Sequence, residues 1–170
     1  MADSPDFDGL VADYYRPLYQ FAFTLTRDEA DACDLTQQTF YIWANKGHQL
    51  REKSKVKTWL FTTLHREFLG SRRRQTRFPH MEVESMTAEL PVIQPPSVNQ
   101  LDAGHLLNAL GRLDELYQAP VSLFYLQDYS YNEIAEILEV PVGTVKSRLA
   151  RGIGRLHDLL TTVQPKPPES

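Results

Sequence analysis

Two helices joined by a very short turn are encoded in residues 130–160, and this pair restricts the possible fold more than any other feature of the sequence. Ser130-Tyr-Asn-Glu133 has the capping-box pattern that starts a helix, and Glu139-Val-Pro141 interrupts that helix soon afterwards. A second helical pattern runs from about Val142 to Leu160. Because the connection is so short, the pattern predicts a helix-turn-helix motif.

The second helix of this motif has one apolar face and one face that suits DNA. At about 100° per residue, six apolar side chains fall in one sector that we expect to pack on its domain: Val142, Val145, Leu149, Ile153, Leu156 and Leu160. The opposite sector and its flanks hold Thr144, Lys146, Ser147, Arg148, Arg151 and Arg155. Short hydroxyls allow close approach in the major groove, and Arg or Lys reaches guanine edges and phosphates. We predict that this face contacts DNA; a solvated basic face is the alternative.

Charge is segregated along the chain, although the net charge of -4 over 170 residues would not by itself suggest a nucleic-acid partner. Residues 51–80 carry nine basic and two acidic side chains, and residues 140–170 carry five and two. The intervening residues 81–139 carry one basic and ten acidic side chains, and residues 1–50 carry three and eight. The two basic blocks indicate two separate nucleic-acid contacts. The alternative is that both blocks are solvated faces without a partner.

Helical periodicity covers most of the rest of the chain, with one interruption. Apolar residues recur at helical spacing over 7–25, 28–43 and 56–68, and again from about 101 to 126. From Gln75 to Gln100 the pattern disappears, and Pro79, Pro91, Pro95 and Pro96 prevent a long helix there. The sequence therefore predicts an all-α protein with two small helical domains, 1–74 and 104–162, joined by a flexible linker at 75–103 and followed by a disordered tail at 163–170.

Four stretches, in order, resemble signature segments of the extracytoplasmic-function sigma factors of the sigma-70 family: Asp34-Leu-Thr-Gln-Gln-Thr-Phe40, Lys57-Thr-Trp-Leu-Phe61, Tyr129-Ser-Tyr-Asn-Glu-Ile-Ala135 and Pro141-Val-Gly-Thr-Val-Lys-Ser-Arg-Leu149. The resemblance covers residues 7–74, similar to the sigma2 domain, and about 104–160, similar to sigma4. It implies a factor that binds core RNA polymerase and directs promoter recognition and transcription initiation. In such a factor sigma2 recognises the -10 element and sigma4 the -35 element.

The resemblance also assigns roles to individual residues. It implies that Asp34, Gln37, Gln38 and Tyr41, which share one helix stripe, dock on the β′ clamp helices of the polymerase. It places Lys55, Lys57, Arg66, Arg72, Arg73 and Arg74 beside the -10 element, with the loop 48–54 as the wall of a pocket for an unstacked base. Tyr131 joins the basic helix face at the -35 element. Trp59 lies in the apolar stripe, so we interpret it as a core residue. The implied partners are the β′ clamp helices and β flap of core polymerase, promoter DNA and an anti-sigma factor.

The chain departs from the family's usual residues at several positions. Arg66 and Gly70 stand where asparagine and aspartate are usual, and Gln38 replaces a usual glutamate. Glu139 occupies the turn of the helix-turn-helix, where glycine is common; a non-glycine residue in the left-handed conformation costs on the order of 1 kcal/mol.

Other functional classes find little support in the sequence. Cys33 is the single cysteine, which excludes an internal disulfide, and neither the five histidines nor the carboxylates show metal-ligand, triad or paired-acid spacing. We therefore expect no enzymatic activity, no cofactor and no bound metal. The first residues lack the features of a signal peptide and no apolar run is long enough to span a bilayer, which predicts a cytoplasmic protein without membrane insertion. The alternative function is a stand-alone helix-turn-helix regulator, which would require a sensor domain before the motif.

Overall fold

A computed structural model of the protein describes residues 7–77 and 101–162, which form helices and short turns without any strand. The first domain consists of α1 (Phe7–Thr26), α2 (Glu29–Lys46), two 3-10 turns (Gly47–Gln49 and Lys53–Lys55) and α3 (Val56–Arg77). The second domain consists of α4 (Leu101–Gly111), α5 (Glu115–Gln127), α6 (Tyr131–Leu138) and α7 (Val142–Thr162). The all-α prediction is confirmed.

The first domain is a three-helix unit built on buried apolar stripes. Leu18 and Phe21 of α1 are fully buried, and the Phe21 ring lies 5.5 Å from that of Phe61 on α3. Arg27 takes a left-handed conformation after α1, and Asp28 then caps α2 by accepting a hydrogen bond of 2.9 Å from the backbone N–H of Asp31. These local signals set the sharp reversal between α1 and α2.

The second domain begins with a helix break that a buried amide stabilises. The pattern over 101–126 is divided into α4 and α5 by residues 112–114. The amide nitrogen of Gln118, which is almost fully buried, donates hydrogen bonds of 2.9 Å to the carbonyls of Gly111 and Leu113. Those carbonyls lie at the end of α4, where a helix leaves its last carbonyl groups without hydrogen-bond donors. Gln118 supplies the missing donors, and no local sequence pattern predicts this contact.

The two domains pack against each other, which the sequence did not predict. α1 contacts α4 and α5 as well as α2 and α3, and α3 contacts α6, so that the buried apolar side chains of both domains form one cluster. Hydrogen bonds of 3.3 Å run from Arg27 to the Leu113 carbonyl and from Gln127 to the Pro17 carbonyl. α3 and α4 extend into the predicted linker as far as 77 and from 101; residues 78–100 and the predicted tail lie outside the described residues.

Two apolar residues lie where the sequence pattern did not place them. Leu116, which follows the helical spacing of the apolar residues before it, is 51% exposed in the first turn of α5. Val142 was expected on the packed face of α7 but is 37% exposed. Helical side chains lean over the preceding turn, and Val142, as the first residue of α7, has no such turn to cover.

Gly152 and Gly154 provide a test of the α5–α7 contact. A Cβ on Gly152 would lie 2.5 Å from Cγ2 of Val121 and 3.1 Å from Cβ of Tyr117, whereas a Cβ on Gly154 meets nothing within 4 Å. Gly152→Ala should therefore destabilise the protein by about 1–3 kcal/mol through overpacking. Gly154→Ala should stabilise it by about 0.5–1 kcal/mol, because alanine favours the helix. Thermal unfolding measures both; a rise in melting temperature for both variants would contradict the close approach of the two helices.

Candidate nucleic-acid interface

The helix-turn-helix predicted from the sequence is present in the second domain. The Ser130 hydroxyl accepts a hydrogen bond of 3.2 Å from the backbone N–H of Glu133, and the Glu133 carboxylate accepts one of 3.0 Å from the backbone N–H of Ser130. This reciprocal pair is the expected capping box at the start of α6. Glu139 ends α6 in the left-handed conformation, with φ 58° and ψ 45°, and α7 begins three residues later at Val142.

The face of α7 that the sequence assigned to DNA is accessible. Val145, Leu149 and Leu156 are buried on the opposite face, and Ile153 and Leu160 are partly buried beside them. The predicted contact residues divide by exposure: Lys146, Ser147, Arg151 and Arg155 are exposed, while Thr144 and Arg148 are half-buried. Tyr131, at the first position of α6, is 40% exposed. The buried stripe therefore turns the hydroxyl and guanidinium groups toward solvent.

A shallow groove of about 320 Å³ lies along this face, and α5 forms its second wall. Its lining joins Thr144, Ser147, Arg148 and Arg151 to Gly143 and to Leu116 and Tyr117 from the first turn of α5. Leu116 and Tyr117 were not among the predicted site residues; Leu116 followed the helical spacing of the leucines before it. Their place in the groove depends on the α5–α7 packing, which no local sequence signal encodes.

The cations predicted for the -10 element lie on the second 3-10 turn and along α3, and three of them form ion pairs with the second domain. Lys55 Nζ is 3.2 Å from a carboxylate oxygen of Glu136, and Arg66 Nε is 2.5 Å from a carboxylate oxygen of Glu139. Arg72 pairs with Glu115. We call these three contacts the cross-domain ion pairs. Arg73 and Arg74 are exposed at the end of α3.

A fourth cation, Lys57, also lies against the second domain. Its ammonium is 4.6 Å from the centre of the Tyr129 ring, a distance typical of cation–π contacts. Tyr129 is buried, and its ring meets Phe61 of α3 edge-on at 5.5 Å. Its hydroxyl has no hydrogen-bond partner among the described residues, and burial raises its pKa. The helix-turn-helix motif is thus anchored on α3 by an aromatic side chain with an unsatisfied polar end.

The loop predicted as a pocket wall forms the two 3-10 turns, and the adjacent tryptophan belongs to the interior. Trp59 is half-buried against the core and meets Trp43 edge-on, with 5.1 Å between ring centres. That position agrees with the core interpretation of Trp59. His48 and Gln49 in the first turn are exposed.

The stripe assigned to polymerase docking lies on the outer face of α2. Leu35, Thr39 and Trp43 are buried on the inner face, against α1 and α3. Asp34 and Gln38 are exposed, Gln37 is half-buried, and Tyr41 is 66% exposed. Partial burial and the nearby carboxylates of Asp31 and Asp28 raise the pKa of Asp34. The structure thus places the four side chains on one polar stripe that the first domain's core does not use.

Histidine 65 lies at the contact between the domains. Burial lowers its pKa to about 4, and the charge of Arg148 acts in the same direction, while that of Glu139 opposes them. The hydrogen bond from Arg66 lowers the pKa of Glu139. His65 is therefore neutral and Glu139 ionised at neutral pH, which keeps the Arg66–Glu139 pair charged.

The described residues contain no group of three or more histidine, cysteine, aspartate or glutamate side chains that could hold a metal ion. Within the same ranges no helix is long and apolar enough to cross a membrane.

Comparison with known proteins identifies the family of the chain. Residues 10–78 match the family model described as Sigma-70 region 2, and residues 104–156 match Sigma-70, region 4. The chain is 31% identical over 151 residues to the ECF RNA polymerase sigma factor SigL of Mycobacterium tuberculosis, covering 87% of this chain and 85% of SigL. The chain belongs to the extracytoplasmic-function sigma factors.

Other relatives of this sigma factor agree with that placement. It is 32% identical to SigE of Mycolicibacterium smegmatis, with 94% of the chain aligned, and spans 63% of the length of SigE. It is 29% identical to the sigma factor YlaC of Bacillus subtilis, over 89% of this chain and 90% of YlaC. Since residues 10–78 match region 2, the alternative of a stand-alone helix-turn-helix regulator is set aside.

Solved structures show the same architecture. The sigma factor RpoE of Bartonella quintana, determined in complex with the anti-sigma factor NepR, superposes with a TM-score of 0.73 at 29% identity, covering 94% of this chain and 99% of that one. CnrH, determined in complex with the cytosolic domain of CnrY, shares the fold with a TM-score of 0.64 at 21% identity.

The partial burial of His65 makes the stability of this sigma factor depend on pH. Because its pKa is lowered from 6.5 to about 4 on folding, the unfolded state binds the proton more tightly. The contribution of the neutral His65 to the free energy of unfolding is fully present above pH 6.5. It is lost as the pH falls toward 4, by at most about 3 kcal/mol. His65→Gln should flatten the fall in stability between pH 7 and pH 5. Denaturant unfolding measures the slope; His157→Gln, at an exposed position of α7, should keep the wild-type slope. An unchanged slope in His65→Gln would show that this imidazole is not held neutral.

Proposed function

We propose that this sigma factor recognises the -35 element with the exposed face of α7 and holds the -10 region with the cations of α3 and the preceding 3-10 turn. The α2 stripe of Asp34, Gln37, Gln38 and Tyr41 docks on the β′ clamp helices of core polymerase. The second domain contacts the β flap. The boundaries proposed for these roles are 1–74 for the first domain and 104–162 for the second.

The observation that carries the -35 proposal is the division of α7 into a buried stripe and a cationic face. Ser147 and Arg151 lie at the centre of the exposed face, and Thr144 lies one turn nearer the helix N-terminus. Because they face away from the packed side of the helix, Thr144, Ser147 and Arg151 approach base edges or adjacent phosphates, with Lys146 beside them. Arg148 and Arg155 mainly contact phosphates. Tyr131, exposed at the start of α6, contacts the adjacent DNA backbone.

The -10 proposal rests on the concentration of cations on one stretch of the first domain. Lys55, Lys57, Arg66 and the run Arg72 to Arg74 supply the positive groove that a separated DNA strand requires. The exposed 3-10 turn at Gly47–Gln49 offers a wall for an unstacked base.

The relatives support a proposal for the regulation and location of this chain. RpoE is described in complex with an anti-sigma factor, and CnrH in complex with the cytosolic domain of CnrY. An anti-sigma partner for this chain is therefore part of the proposal. Because the named relatives are sigma factors, the chain is proposed to act in the cytoplasm on polymerase and to catalyse no reaction of its own.

Arginine 151 and arginine 155 separate base recognition from phosphate binding. Arg151→Ala should relax the preference at one or two -35 positions, because a lost bidentate guanine contact costs about 1–3 kcal/mol. Arg155→Ala should lower affinity equally for all sequences and flatten its salt dependence. Binding of holoenzyme to a library of -35 variants at two salt concentrations measures both effects.

The matched control for these two variants is Arg16→Ala, which removes an exposed arginine of α1. It should change neither the sequence preference at the -35 element nor the salt dependence of binding. An Arg151→Ala protein with the wild-type preference at every position would show that another face of α7 meets the DNA.

The α2 stripe should serve polymerase binding rather than stability. Combined replacement of Asp34, Gln37 and Gln38 by alanine should change the free energy of unfolding little, because polar side chains outside the core contribute little to stability. It should weaken holoenzyme formation by about tenfold or more, which corresponds to about 1.4 kcal/mol. Titration with core polymerase and run-off transcription measure the loss.

A triple alanine variant of Asp8, Asp13 and Arg16, exposed on α1, is the control and should bind polymerase normally. Loss of folding with unchanged polymerase affinity per folded molecule would refute the assignment of the stripe.

A further inference from the structure

The loop assigned to the unstacked -10 base is attached at both ends to one side chain, Trp43. This loop, residues 47–55, follows α2 and ends where α3 begins at Val56. At its start Gly47 lies against the indole of Trp43. Just after its end Trp59, in the first turn of α3, meets the same indole edge-on, with 5.1 Å between ring centres. Trp43 is buried in the last turn of α2, so one buried ring joins the two ends of the loop.

Gly47 lies too close to this ring for any side chain. A Cβ on Gly47 would lie 2.5, 2.6 and 2.8 Å from Cδ2, Cε2 and Cε3 of Trp43, well inside the distance at which carbon atoms pack. The backbone of Gly47, with φ -62° and ψ -27°, is right-handed helical and accessible to every residue type. Conformational freedom therefore does not account for the glycine, whereas its contact with the indole does.

The hydrogen bonds within the loop shape its two turns but do not attach them to α2. The backbone N–H of Leu50 donates to the Gly47 carbonyl, and that of Lys55 donates to the Glu52 carbonyl, each at 3.0 Å. Attachment comes from Gly47, which donates its N–H to the Trp43 carbonyl and packs against the ring, and from the half-buried Leu50. The position of the first turn therefore depends on the place of the Trp43 side chain.

We propose that Trp43 is a positioning residue for -10 recognition, which holds the loop 47–55 so that its exposed side chains meet an unstacked base in one geometry. This inference rests on the proposed role of the loop as the wall of a base pocket. The side chains that Trp43 positions are His48 and Gln49 in the first turn and Arg51 just after it, all three exposed. A binding site is selective when surrounding packing holds its groups to within about 0.5 Å.

Trp43 also connects the loop to the surface assigned to polymerase. α2 carries the docking stripe on its outer face, and Trp43 is buried on the inner face of the same helix, two residues after Tyr41. Two residues span about 3 Å of helix axis, and the backbone hydrogen bonds of the helix hold that spacing. Docking of α2 on the clamp helices thus places the loop at a fixed position relative to the enzyme.

Gly47→Ala tests the contact with the smallest possible change. The added methyl group collides with the indole, so that loop and ring must move apart while every exposed loop side chain is kept. Holoenzyme is titrated with fluorescein-labelled single-stranded oligonucleotides that vary across the -10 element. The quantity measured is the ratio of affinities for the best and the worst base at the most selective position. Gly47→Ala should lower this discrimination ratio by about tenfold, which lies within the usual cost of a wrong base.

Gly152→Ala is the matched control for a loss of stability. It also forces a Cβ to 2.5 Å from a buried side chain, Cγ2 of Val121, but between α5 and α7 of the second domain. Both variants should have a lower melting temperature, whereas Gly152→Ala should keep the wild-type discrimination ratio per folded molecule. An equal fall in the ratio for both variants would overturn the proposal, because general destabilisation would then explain it.

Fluorescence shows whether the alanine acts through the indole. The chain contains two tryptophans, and both belong to this contact, so the tryptophan emission of the free chain reports on the Trp43–Trp59 pair alone. Gly47→Ala should shift the emission spectrum, and Gly152→Ala should leave it unchanged. Reduced discrimination in Gly47→Ala with a wild-type spectrum would refute the positioning role of Trp43.

A double variant tests the dependence of the loop on the ring. Trp43→Leu removes Cε2 and Cε3, two of the three ring atoms that the alanine methyl group would meet. Trp43→Leu alone should lower the discrimination ratio because the loop loses its support. Adding Gly47→Ala should raise it again by about threefold, since the methyl group fills space that the ring has left. If the effects of the two substitutions simply multiply, loop and ring act independently and the proposal is wrong.

Failure of the underlying loop assignment gives a different result. The double variant His48→Ala, Gln49→Ala removes two exposed side chains of the first turn and should lower the discrimination ratio whether or not Trp43 positions them. If it does so while Gly47→Ala keeps the wild-type ratio, the positioning role is wrong and the assignment of the loop stands. If neither variant changes the ratio, the assignment of the loop fails and the inference falls with it.

Discussion

The structure depends on the burial of α1 between the other helices of the first domain and those of the second. Leu18, Phe21 and Ala22 are fully buried, and the helix packs on α2 and α3 as well as on α4 and α5. Burying a leucine or phenylalanine contributes about 1.5–3 kcal/mol, whereas an exposed ion pair contributes about 0.2–1 kcal/mol. Apolar packing therefore holds the domains together, and the exposed cross-domain ion pairs contribute less to that contact.

Much of this arrangement follows from local sequence signals. The capping box at Ser130 and the turn at Glu139 predicted the helix-turn-helix, and the helical spacing of Val145, Leu149 and Leu156 predicted which face of α7 would be buried. These features were predictable because each depends on residues only a few positions apart. The family resemblance likewise came from contiguous segments, and the matches to regions 2 and 4 of the sigma-70 family confirm it.

What the sequence did not predict are contacts between distant residues. Gln118 caps α4 through a buried amide, and Leu116 with Tyr117 forms a wall of the groove beside α7; both depend on how helices pack. The alternation of basic and acidic blocks suggested two DNA contacts but not that the acidic block would pair with the first basic one. Arg66 and Glu139 each stood out as departures from family usage, and only the fold brings them to 2.5 Å from each other.

The Arg66–Glu139 contact also bears on how freely such domains can be exchanged. One partner lies in the first domain and the other in the second, so each half carries only one side of the pair. A chimera that joined this first domain to the second domain of a relative with glycine at the turn would keep both DNA-binding surfaces and lose the pair. Recombination of such domains would then leave promoter preference intact and still change how the two halves of the chain hold each other.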